Sequence, residues 1–286
     1  MKTLRDYLVW AEEKQVALGH FNISDSEGFK AVVEGAKELD VPVIIGVSEG
    51  ERDFIGLGEV VSLVKTAREH NLSVFVNADH TYSAEKARLA IDAKVDSVII
   101  DAAEKTLEEN IKLTKEIVDY ARSQDLPTGR QVLVEGELGF IGKSSKLLET
   151  LPDGVSEETQ TGPEEAANFV RQTNIDLLAP SVGNVHGMIK TGNPKLNIER
   201  IRAIREVAGV PLVLHGGSGI ADGEFIAAIE AGVRIIHINT ELRIAYKEGI
   251  EEGLKSGEIA PYKFLAEGVA EMKKIVRNRL KLFNRL

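Results

Sequence analysis

The chain has 286 residues, a formal net charge of −10 and 43% hydrophobic residues. The acidic balance excludes a general nucleic-acid binder, which needs a basic surface, and no apolar run approaches the roughly 20 residues of a membrane span. The absence of cysteine excludes disulfides and thiolate metal ligands. Together with an N-terminal stretch that lacks an apolar signal core, it predicts a cytoplasmic protein.

Short apolar runs alternate with amphipathic stretches along the chain. An opening helix at residues 4–14 precedes eight predicted strands, at residues 16–21, 43–47, 73–76, 97–100, 131–134, 176–179, 211–214 and 234–238. Helical patterns occupy residues 28–39, 57–70, 84–93, 107–122, 198–207 and 223–231, and residues 261–286 predict one or two final helices.

Eight strands that alternate with helices predict a parallel sheet closed into a barrel. We therefore expect a single (βα)8 TIM-barrel domain over residues 1–286, with an N-terminal helix and extra C-terminal helices, since such a barrel typically takes about 250 residues. An open doubly wound sheet is disfavoured because no GxGxxG motif follows the first strand. One long connection, at about residues 139–163, predicts a mobile active-site loop.

Polar residues follow the predicted strands, at the end where a βα-barrel carries its chemistry. In chain order they are Asn22, Ser48, Asp79, His80, Asp101, Glu137, His186, His215, Asn239 and Thr240. A single residue of this kind is best explained as a helix cap or a satisfied turn. A polar residue at every strand indicates an active site.

Three of the six histidines, His80, His186 and His215, stand at or just beyond apolar runs. Three imidazoles at one rim form a metal site with an open position for substrate, and zinc accepts this ligand set. The competing interpretation is three hydrogen-bonded core histidines. Glu137 and Asp101 are candidate alternative or supporting ligands, and capping of the following helix explains either one equally well.

Asp79 precedes His80 and would point to the opposite side of a regular strand, although that alternation can break at a strand end. A carboxylate beside a metal ion suits general acid–base chemistry because the ion's charge tunes its pKa. The alternative, a helix N-cap, is weakened because Thr81 and Ser83 could serve as caps. We therefore expect Asp79 to be the catalytic residue.

Glycines and hydrogen-bond donors follow the last predicted strands. Backbone N–H groups at a helix N-terminus bind phosphate, and glycine lets the phosphate approach the backbone closely. Phosphate sites in these barrels often follow strands seven and eight. The candidate residues are Gly187, Lys190, Gly216, Gly217, Ser218, Asn239 and Thr240. The GGSG turn alone is a weak signal that a simple tight turn would also explain, but its position directly after His215 favours an anion site.

Several short sequence segments, taken together and in this order, are specific enough to indicate a family. They are GHFNI (19–23), PVIIGVS (42–48), DH (79–80), Asp101 with EENI (108–111), EGELG (135–139), APSVGNVHG (179–187), LVLHGGSG (212–219) and NTE (239–241). Over nearly its whole length the chain resembles the class II, metal-dependent fructose-bisphosphate aldolases and their tagatose-bisphosphate relatives.

The resemblance implies a role for most of the strand-end residues. It implies zinc on His80, His186 and His215, with Asp101 and Glu137 serving an alternative metal position. It implies that Asp79 exchanges a proton with the oxygen of the aldehyde-forming carbon. The residues implied around the dihydroxyacetone-phosphate half are Gly187, Lys190, Gly217, Ser218, Asn239 and Thr240, while Asn22 and Ser48 would line the rest of the pocket.

The same resemblance implies further partners and a metabolic role. Family members use a monovalent cation, Na⁺ or K⁺, near the phosphate, and they form homodimers or homotetramers. Their substrate is a phosphorylated sugar, which places the chain in carbohydrate metabolism, in glycolysis and gluconeogenesis.

Two positions depart from the family pattern. Family members carry a Gly-Gly-(Gln/Glu)-Glu-Asp segment whose glutamate moves a proton on the substrate carbon, whereas this chain reads GFIGKSS at residues 139–145. Glu149, Glu157 and Glu158 are the loop residues that could substitute, and the sequence does not choose among them. The second departure is His237, which stands where the family has a substrate-contacting asparagine and whose imidazole would ordinarily titrate near neutrality.

The leading hypothesis is therefore a lyase that reversibly cleaves fructose 1,6-bisphosphate to dihydroxyacetone phosphate and glyceraldehyde 3-phosphate. A tagatose-bisphosphate aldolase, or one for a related phosphorylated keto-sugar, is the alternative within the fold. A sugar-phosphate-binding protein with little turnover is the alternative of a different class. Retention of Asp79 argues against the last, because a binding protein has no use for an acid–base group.

Overall fold

The computed structural model of the protein describes residues 2–124, 131–143 and 145–286. Within these ranges the strands are β1 (Leu18–Asn22), β2 (Val43–Val47), β3 (Val74–Thr81), β4 (Ser97–Ile100), β5 (Leu133–Leu138), β6 (Leu147–Leu148), β7 (Leu177–Pro180), β8 (Met188–Ile189), β9 (Leu212–Leu214) and β10 (Val233–Ile238). The helices are α1 (Leu4–Lys14), α2 (Ser26–Leu39), α3 (Glu49–Ile55), α4 (Leu57–Glu69), α5 (Ala84–Asp92), α6 (Leu107–Ser123), α7 (Pro163–Thr173), α8 (Ile198–Ala208), α9 (Asp222–Ala231), α10 (Thr240–Leu254), α11 (Pro261–Phe264) and α12 (Ala266–Asn284).

Eight of the described strands pair in parallel and close into a barrel in the order β1-β10-β9-β7-β5-β4-β3-β2. This confirms the predicted (βα)8 barrel with its N-terminal helix and additional C-terminal helices. All eight strands run in the same direction, so their carboxyl ends open on one face. The polar residues at those ends therefore meet around one opening.

The amino end of the barrel is closed by α1. Leu4 and Leu8 are buried in a cluster of apolar side chains contributed by the starts of several strands, among them Leu18, Ile44 and Phe75. Thr3 caps the helix: its side chain accepts a hydrogen bond from the Asp6 backbone N–H at 3.2 Å. The apolar filling of the lower barrel leaves only the opposite end for polar side chains.

Two strands extend further than the apolar runs predicted. The runs were expected to end at residues 76 and 134, whereas β3 continues to Thr81 and β5 to Leu138. The difference arises because the upper barrel interior is polar, so strand residues there are not apolar. Asp79, His80 and Glu137 consequently lie within strands and not after them.

A bulge near the end of β3 changes the direction of two side chains. The register of β3 against β4 shifts between Ala78 and Thr81, where three steps along β3 match two along β4. His80 has a φ of +37°, in the left-handed region that non-glycine residues rarely adopt. The bulge breaks the regular alternation, as bulges beside active sites commonly do, and both Asp79 and His80 line the cavity at the barrel opening.

The long connection at residues 139–163 contains β6, which pairs in parallel with β8 outside the barrel. Leu147 lies opposite Met188 and Leu148 opposite Ile189, so the connection is joined to the segment that directly follows His186. Residue 144, which also belongs to the predicted mobile loop, lies outside the described residues. At the other side of the barrel, α12 packs against α2 and α10. None of the described helices combines the length and the apolar character needed to cross a membrane.

We expect Leu8→Ala to lower the free energy of unfolding by about 2–4 kcal/mol, because it leaves a cavity in the layer that closes the barrel. Val9→Ala is the matched control: Val9 is 57% exposed on the same helix, and its truncation should cost less than about 0.5 kcal/mol. Urea denaturation followed by circular dichroism measures both. Equal costs for the two variants would contradict the proposed packing of α1.

Candidate active site

Three imidazoles meet at the carboxyl ends of β3, β7 and β9. The ring centroid of His80 lies 4.6 Å from that of His186 and 5.0 Å from that of His215, and the last two are 5.8 Å apart. His186 and His215 are buried, and His80 is largely buried, with 13% of its side chain exposed. The structure thus brings together the three histidines that the sequence singles out.

Two of these rings have one nitrogen held by a carboxylate and the other left free. Asp101 Oδ2 accepts a hydrogen bond from His80 Nδ1 at 2.8 Å, and Glu135 Oε1 accepts one from His215 Nε2 at 2.8 Å. A carboxylate on one ring nitrogen fixes the tautomer and orients the other nitrogen as a ligand. The Asp101 carboxylate therefore orients His80 as a candidate ligand. Glu135, which the sequence analysis did not single out, orients His215 in the same way.

The free atoms around this point fit a metal ion. Ligand atoms of His80, Glu137, His186 and His215 all lie within 4.8 Å of one another. His186 Nε2, His215 Nδ1 and Glu137 Oε2 are buried and have no hydrogen-bond partner. Buried polar atoms without hydrogen-bond partners cost free energy unless something binds them. Three imidazole nitrogens with a carboxylate nearby form a ligand set that zinc accepts.

The electrostatics of the cluster also favour a cation. Burial by itself would lower the pKa of His80, but the charge of Asp79, the hydrogen bond to Asp101 and the charge of Glu137 outweigh it and raise the pKa to about 10. Burial and the neighbouring Asp101 raise the pKa of Glu137 to about 8. Burial and repulsion from His80 hold the pKa of His186 well below its ordinary value. Burial by itself would lower the pKa of His215, but the hydrogen bond to Glu135 and the charge of that carboxylate outweigh it and raise this pKa as well.

Asp79 is buried beside this cluster, with 2% of its surface exposed. Its Oδ2 accepts a hydrogen bond from Asn22 Nδ2 at 2.9 Å, and its Oδ1 lies 3.5 Å from His237 Nδ1. Burial would raise the pKa of Asp79, but the charge of His80 and the contact with His237 hold it well below its usual range. Asp79 is therefore a carboxylate at neutral pH, able to accept a proton.

A second group of potential ligands lies deeper in the barrel and consists of His20, Asp79 and His237. The rings of His20 and His237 are stacked at 3.4 Å with 4° between their planes, and His237 stacks on His215 at 3.9 Å. A metal ion binds in the plane of an imidazole, and two parallel rings at this spacing cannot both direct a nitrogen at one ion. These histidines therefore form a packed stack beneath the metal site.

His20 and Asn77 complete the buried polar layer and were missed by sequence reasoning. Asn77 Oδ1 accepts a hydrogen bond from His20 Nε2 at 3.3 Å, and Asn77 Nδ2 donates to Ser97 Oγ at 2.7 Å. The available signal was a polar residue at alternate positions within β1 and β3, where an apolar interior was expected. Glu135 could have been found the same way, since it stands two residues before Glu137.

Backbone groups from the last strands line a small recess beside the metal cluster. Gly216 has a φ of +62°, and a side chain there would place Cβ 2.3 Å from the Val185 carbonyl oxygen. Ser218 Oγ accepts hydrogen bonds from the backbone N–H groups of Asn239 and Glu241 at 3.2 Å. The recess is lined by Asn22, Asp79, His80, Ser145, His186, Gly187, Gly216, Ser218, His237, Asn239 and Thr240. Since α10 begins at Thr240, the recess adjoins a helix N-terminus suited to an anion.

A larger cavity of about 390 Å³ opens from the metal cluster towards the surface. Its lining is Ser48, Asp79, His80, Tyr82, Asp101, Gly142, Lys143, Ser145, Lys146, His186, Asn239 and Arg243. Six residues of this wall were singled out in the sequence, namely Ser48, Asp79, His80, Asp101, His186 and Asn239. Its three cations, Lys143, Lys146 and Arg243, were not, because they belong to the long loop and to α10 and not to strand ends.

Lys190 is placed differently from the other predicted anion-binding residues. It forms an ion pair with Glu149, about half of its side chain is exposed, and it is absent from the lining of both cavities. Glu149 is 75% exposed, and Glu157 lines a separate cavity of about 550 Å³ near α8. Among the described residues, neither of these glutamates nor Glu158 contributes to the wall beside the metal cluster.

Comparison with known proteins supplies the family. A family model described as fructose-bisphosphate aldolase class-II matches residues 2–285. The fructose-bisphosphate aldolase of Geobacillus stearothermophilus is 36% identical over 287 residues, covering 98% of this chain and 96% of that protein. The fructose-bisphosphate aldolase of Staphylococcus epidermidis is 36% identical over 288 residues, with the same shares covered.

Solved structures superpose on the barrel of this chain and on its additional helices. The YdjI aldolase from Escherichia coli K12 superposes with a TM-score of 0.82 at 31% identity, covering 99% of this chain and 97% of that one. A putative fructose-1,6-bisphosphate aldolase from Coccidioides immitis gives a TM-score of 0.82 at 27% identity, covering 98% and 95%. The match extends over the whole chain in sequence and in fold, and the chain belongs to the class II fructose-bisphosphate aldolase family.

Proposed function

We propose that this protein is a zinc-dependent aldolase that reversibly cleaves fructose 1,6-bisphosphate to dihydroxyacetone phosphate and glyceraldehyde 3-phosphate. The observation that carries the proposal is the convergence of His80, His186 and His215, with unpartnered ligand atoms, beside the buried carboxylate Asp79. The named activity of the relatives supports the same reaction.

In this proposal His80, His186 and His215 hold the ion, and Glu137 and Asp101 are the alternative or supporting ligands. A bound divalent ion would supply Lewis-acid stabilisation of the negative charge that cleavage leaves on the substrate. Asp79 accepts the proton of the hydroxyl on the aldehyde-forming carbon, and Asn22 orients that carboxylate with a hydrogen bond of 2.9 Å. In the reverse condensation, protonated Asp79 returns the proton to the oxygen of the former aldehyde carbon.

The phosphate of the dihydroxyacetone half is assigned to the recess that adjoins the N-terminus of α10. Gly187, Gly216, Gly217, Ser218, Asn239 and Thr240 would surround it, with a monovalent cation, Na⁺ or K⁺, nearby. Lys190 would join this set only after release from Glu149. Asn22, Ser48 and His237 would contact the remainder of the sugar, and the 139–163 loop would close over it to exclude water.

The assembly and compartment are proposed on the family resemblance and on composition. We propose a homodimer or homotetramer in the cytoplasm, consistent with the absence of cysteine.

The experiment that tests the function offers fructose 1,6-bisphosphate and tagatose 1,6-bisphosphate separately to the zinc-loaded protein, with and without a chelator. We expect triose phosphate release from the fructose sugar, abolished by the chelator and restored by zinc. Release from tagatose bisphosphate alone would reassign the substrate. With zinc bound, no release from either sugar would overturn the proposed reaction.

We expect Asp79→Asn to lower kcat for cleavage by about 10²- to 10⁴-fold, because the hydroxyl proton loses its acceptor, while zinc content is unchanged. Asp53→Asn is the matched control, since Asp53 is 72% exposed on α3 and should retain full activity. A steady-state assay coupled to triose phosphate, with zinc measured by atomic emission, gives both readouts. Undiminished turnover in Asp79→Asn would remove this residue from the mechanism.

We expect His186→Ala to lose most of its zinc on dialysis, because a site of three imidazoles has none to spare. His70→Ala serves as the control, as His70 is exposed at the end of α4 and should leave the zinc content at the wild-type value. The readout is the metal-to-protein ratio and needs no activity. Full zinc occupancy in dialysed His186→Ala would refute the ligand assignment.

A further inference from the structure

A buried glutamate outside the strand ends is connected to the acid–base residue. Glu51 lies in the first turn of α3 and is 5% exposed. Its Oε2 accepts hydrogen bonds from the Ser48 backbone N–H at 2.7 Å, from Ser48 Oγ at 2.8 Å and from Asn22 Nδ2 at 2.9 Å. Its Oε1 accepts one from Arg243 Nη2 at 2.6 Å. Both oxygens of this buried carboxylate thus accept hydrogen bonds.

The side-chain amide of Asn22 joins this glutamate to Asp79. Asn22 Nδ2 donates to Glu51 Oε2 and to Asp79 Oδ2, each at 2.9 Å. An amide nitrogen carries two hydrogens, so each carboxylate receives one. The reversed amide would set its carbonyl oxygen against two carboxylates, so Glu51 acts together with Asp79 to keep the amide nitrogen of Asn22 between them.

Helix capping alone does not account for Glu51. In the capping box of α6, Glu109 is exposed, and among the described residues it accepts hydrogen bonds only from Thr106. Glu51 has the same position in its helix, yet it is buried and takes donors from β1 and α10 as well. Burying a carboxylate is costly unless it is paired and hydrogen-bonded, and Glu51 meets this requirement with donors that an exposed capping residue does not need, which points to a role beyond the start of α3.

The neighbouring arginine holds the same aspartate by its backbone. Arg52 Nη1 donates to the carbonyl oxygens of Val47, at 2.6 Å, and Asp79, at 2.9 Å. Two consecutive residues of α3 therefore reach Asp79, one through the Asn22 amide and one through the main chain.

We propose that Glu51 is a positioning residue that holds Asn22, and through it the Asp79 carboxylate, in the orientation that accepts the proton of the aldehyde-side hydroxyl. The proposal rests on the proposed aldolase function. In cleavage the O–H bond of that hydroxyl breaks and its proton passes to Asp79. The carbon–carbon bond breaks with its electron pair remaining on the dihydroxyacetone half, which later takes a proton at carbon.

If Glu51 has this role, a change at Glu51 should affect two reactions of the enzyme to different extents. Exchange of a carbon-bound proton of dihydroxyacetone phosphate with solvent involves no aldehyde-side hydroxyl, and so it does not need Asp79 in this orientation. Cleavage of the bisphosphate needs it. A change at Glu51 should therefore affect cleavage much more than exchange, whereas general damage to the metal site or fold would affect both.

The test uses Glu51→Gln in the zinc-loaded protein. The amide has the same size but no charge and only one acceptor oxygen, so the four donors that Glu51 accepts compete for a single oxygen and the hold on Asn22 weakens. We expect kcat for cleavage to fall about 10- to 100-fold, as for small displacements of a reacting group, with deuterium exchange into dihydroxyacetone phosphate, followed by NMR, within about threefold of wild type. Glu109→Gln, in the exposed capping box of α6, is the matched control and should change neither rate.

A second variant tests the same proposal if Glu51→Gln does not fold. Glu51→Asp keeps the charge but is one methylene shorter, and it should show a smaller loss of cleavage than the glutamine variant with exchange again preserved. Parallel losses in cleavage and exchange would overturn the proposal in favour of a structural role, and so would unchanged cleavage in both variants. If the wild-type protein catalyses neither reaction with zinc bound, the proposed function fails first, and the role of Glu51 fails with it.

Discussion

Buried imidazoles and carboxylates must satisfy one another, and this requirement organises the upper half of the barrel. An ionised group removed from water needs an opposite charge and hydrogen bonds to remain ionised. Asp101 and Glu135 each hold the back of one histidine at 2.8 Å, and Asn22 divides its amide between Asp79 and Glu51. Three of the buried atoms that lack a hydrogen-bond partner, on His186, His215 and Glu137, converge on one point beside His80, where a metal ion would complete the network.

The sequence was sufficient to predict what depends on periodicity. Eight apolar runs alternating with amphipathic stretches specify the barrel, and parallel strands force the polar residues after those runs onto one face. His80, His186 and His215 could be grouped for this reason, although they are distant along the chain. The ends of β3 and β5 were placed too early, because polar residues inside a strand resemble the end of an apolar run.

What the sequence could not supply are contacts between elements that no spacing rule connects. Glu51 reads as an ordinary helix-capping residue, and only the fold shows that β1 and α10 supply donors to it. His20 reads as part of a strand, and its stacking on His237 requires β1 and β10 to be neighbours at the closure of the barrel. Lys190 was expected at the phosphate, whereas its partner Glu149 comes from a loop whose path has no sequence signature.

The bulge in β3 has a mechanical consequence. Left-handed backbone at a non-glycine residue costs about 1 kcal/mol or more, and His80 adopts it with a φ of +37°. It allows the proposed metal ligand His80 and the proposed acid–base residue Asp79 to occupy adjacent positions and line the same cavity. The two residues are then joined by a single peptide plane, so a displacement of this part of the β3 backbone carries both along together. Their mutual spacing is protected from the fluctuations that alter the distances to His186 and His215, which follow β7 and β9.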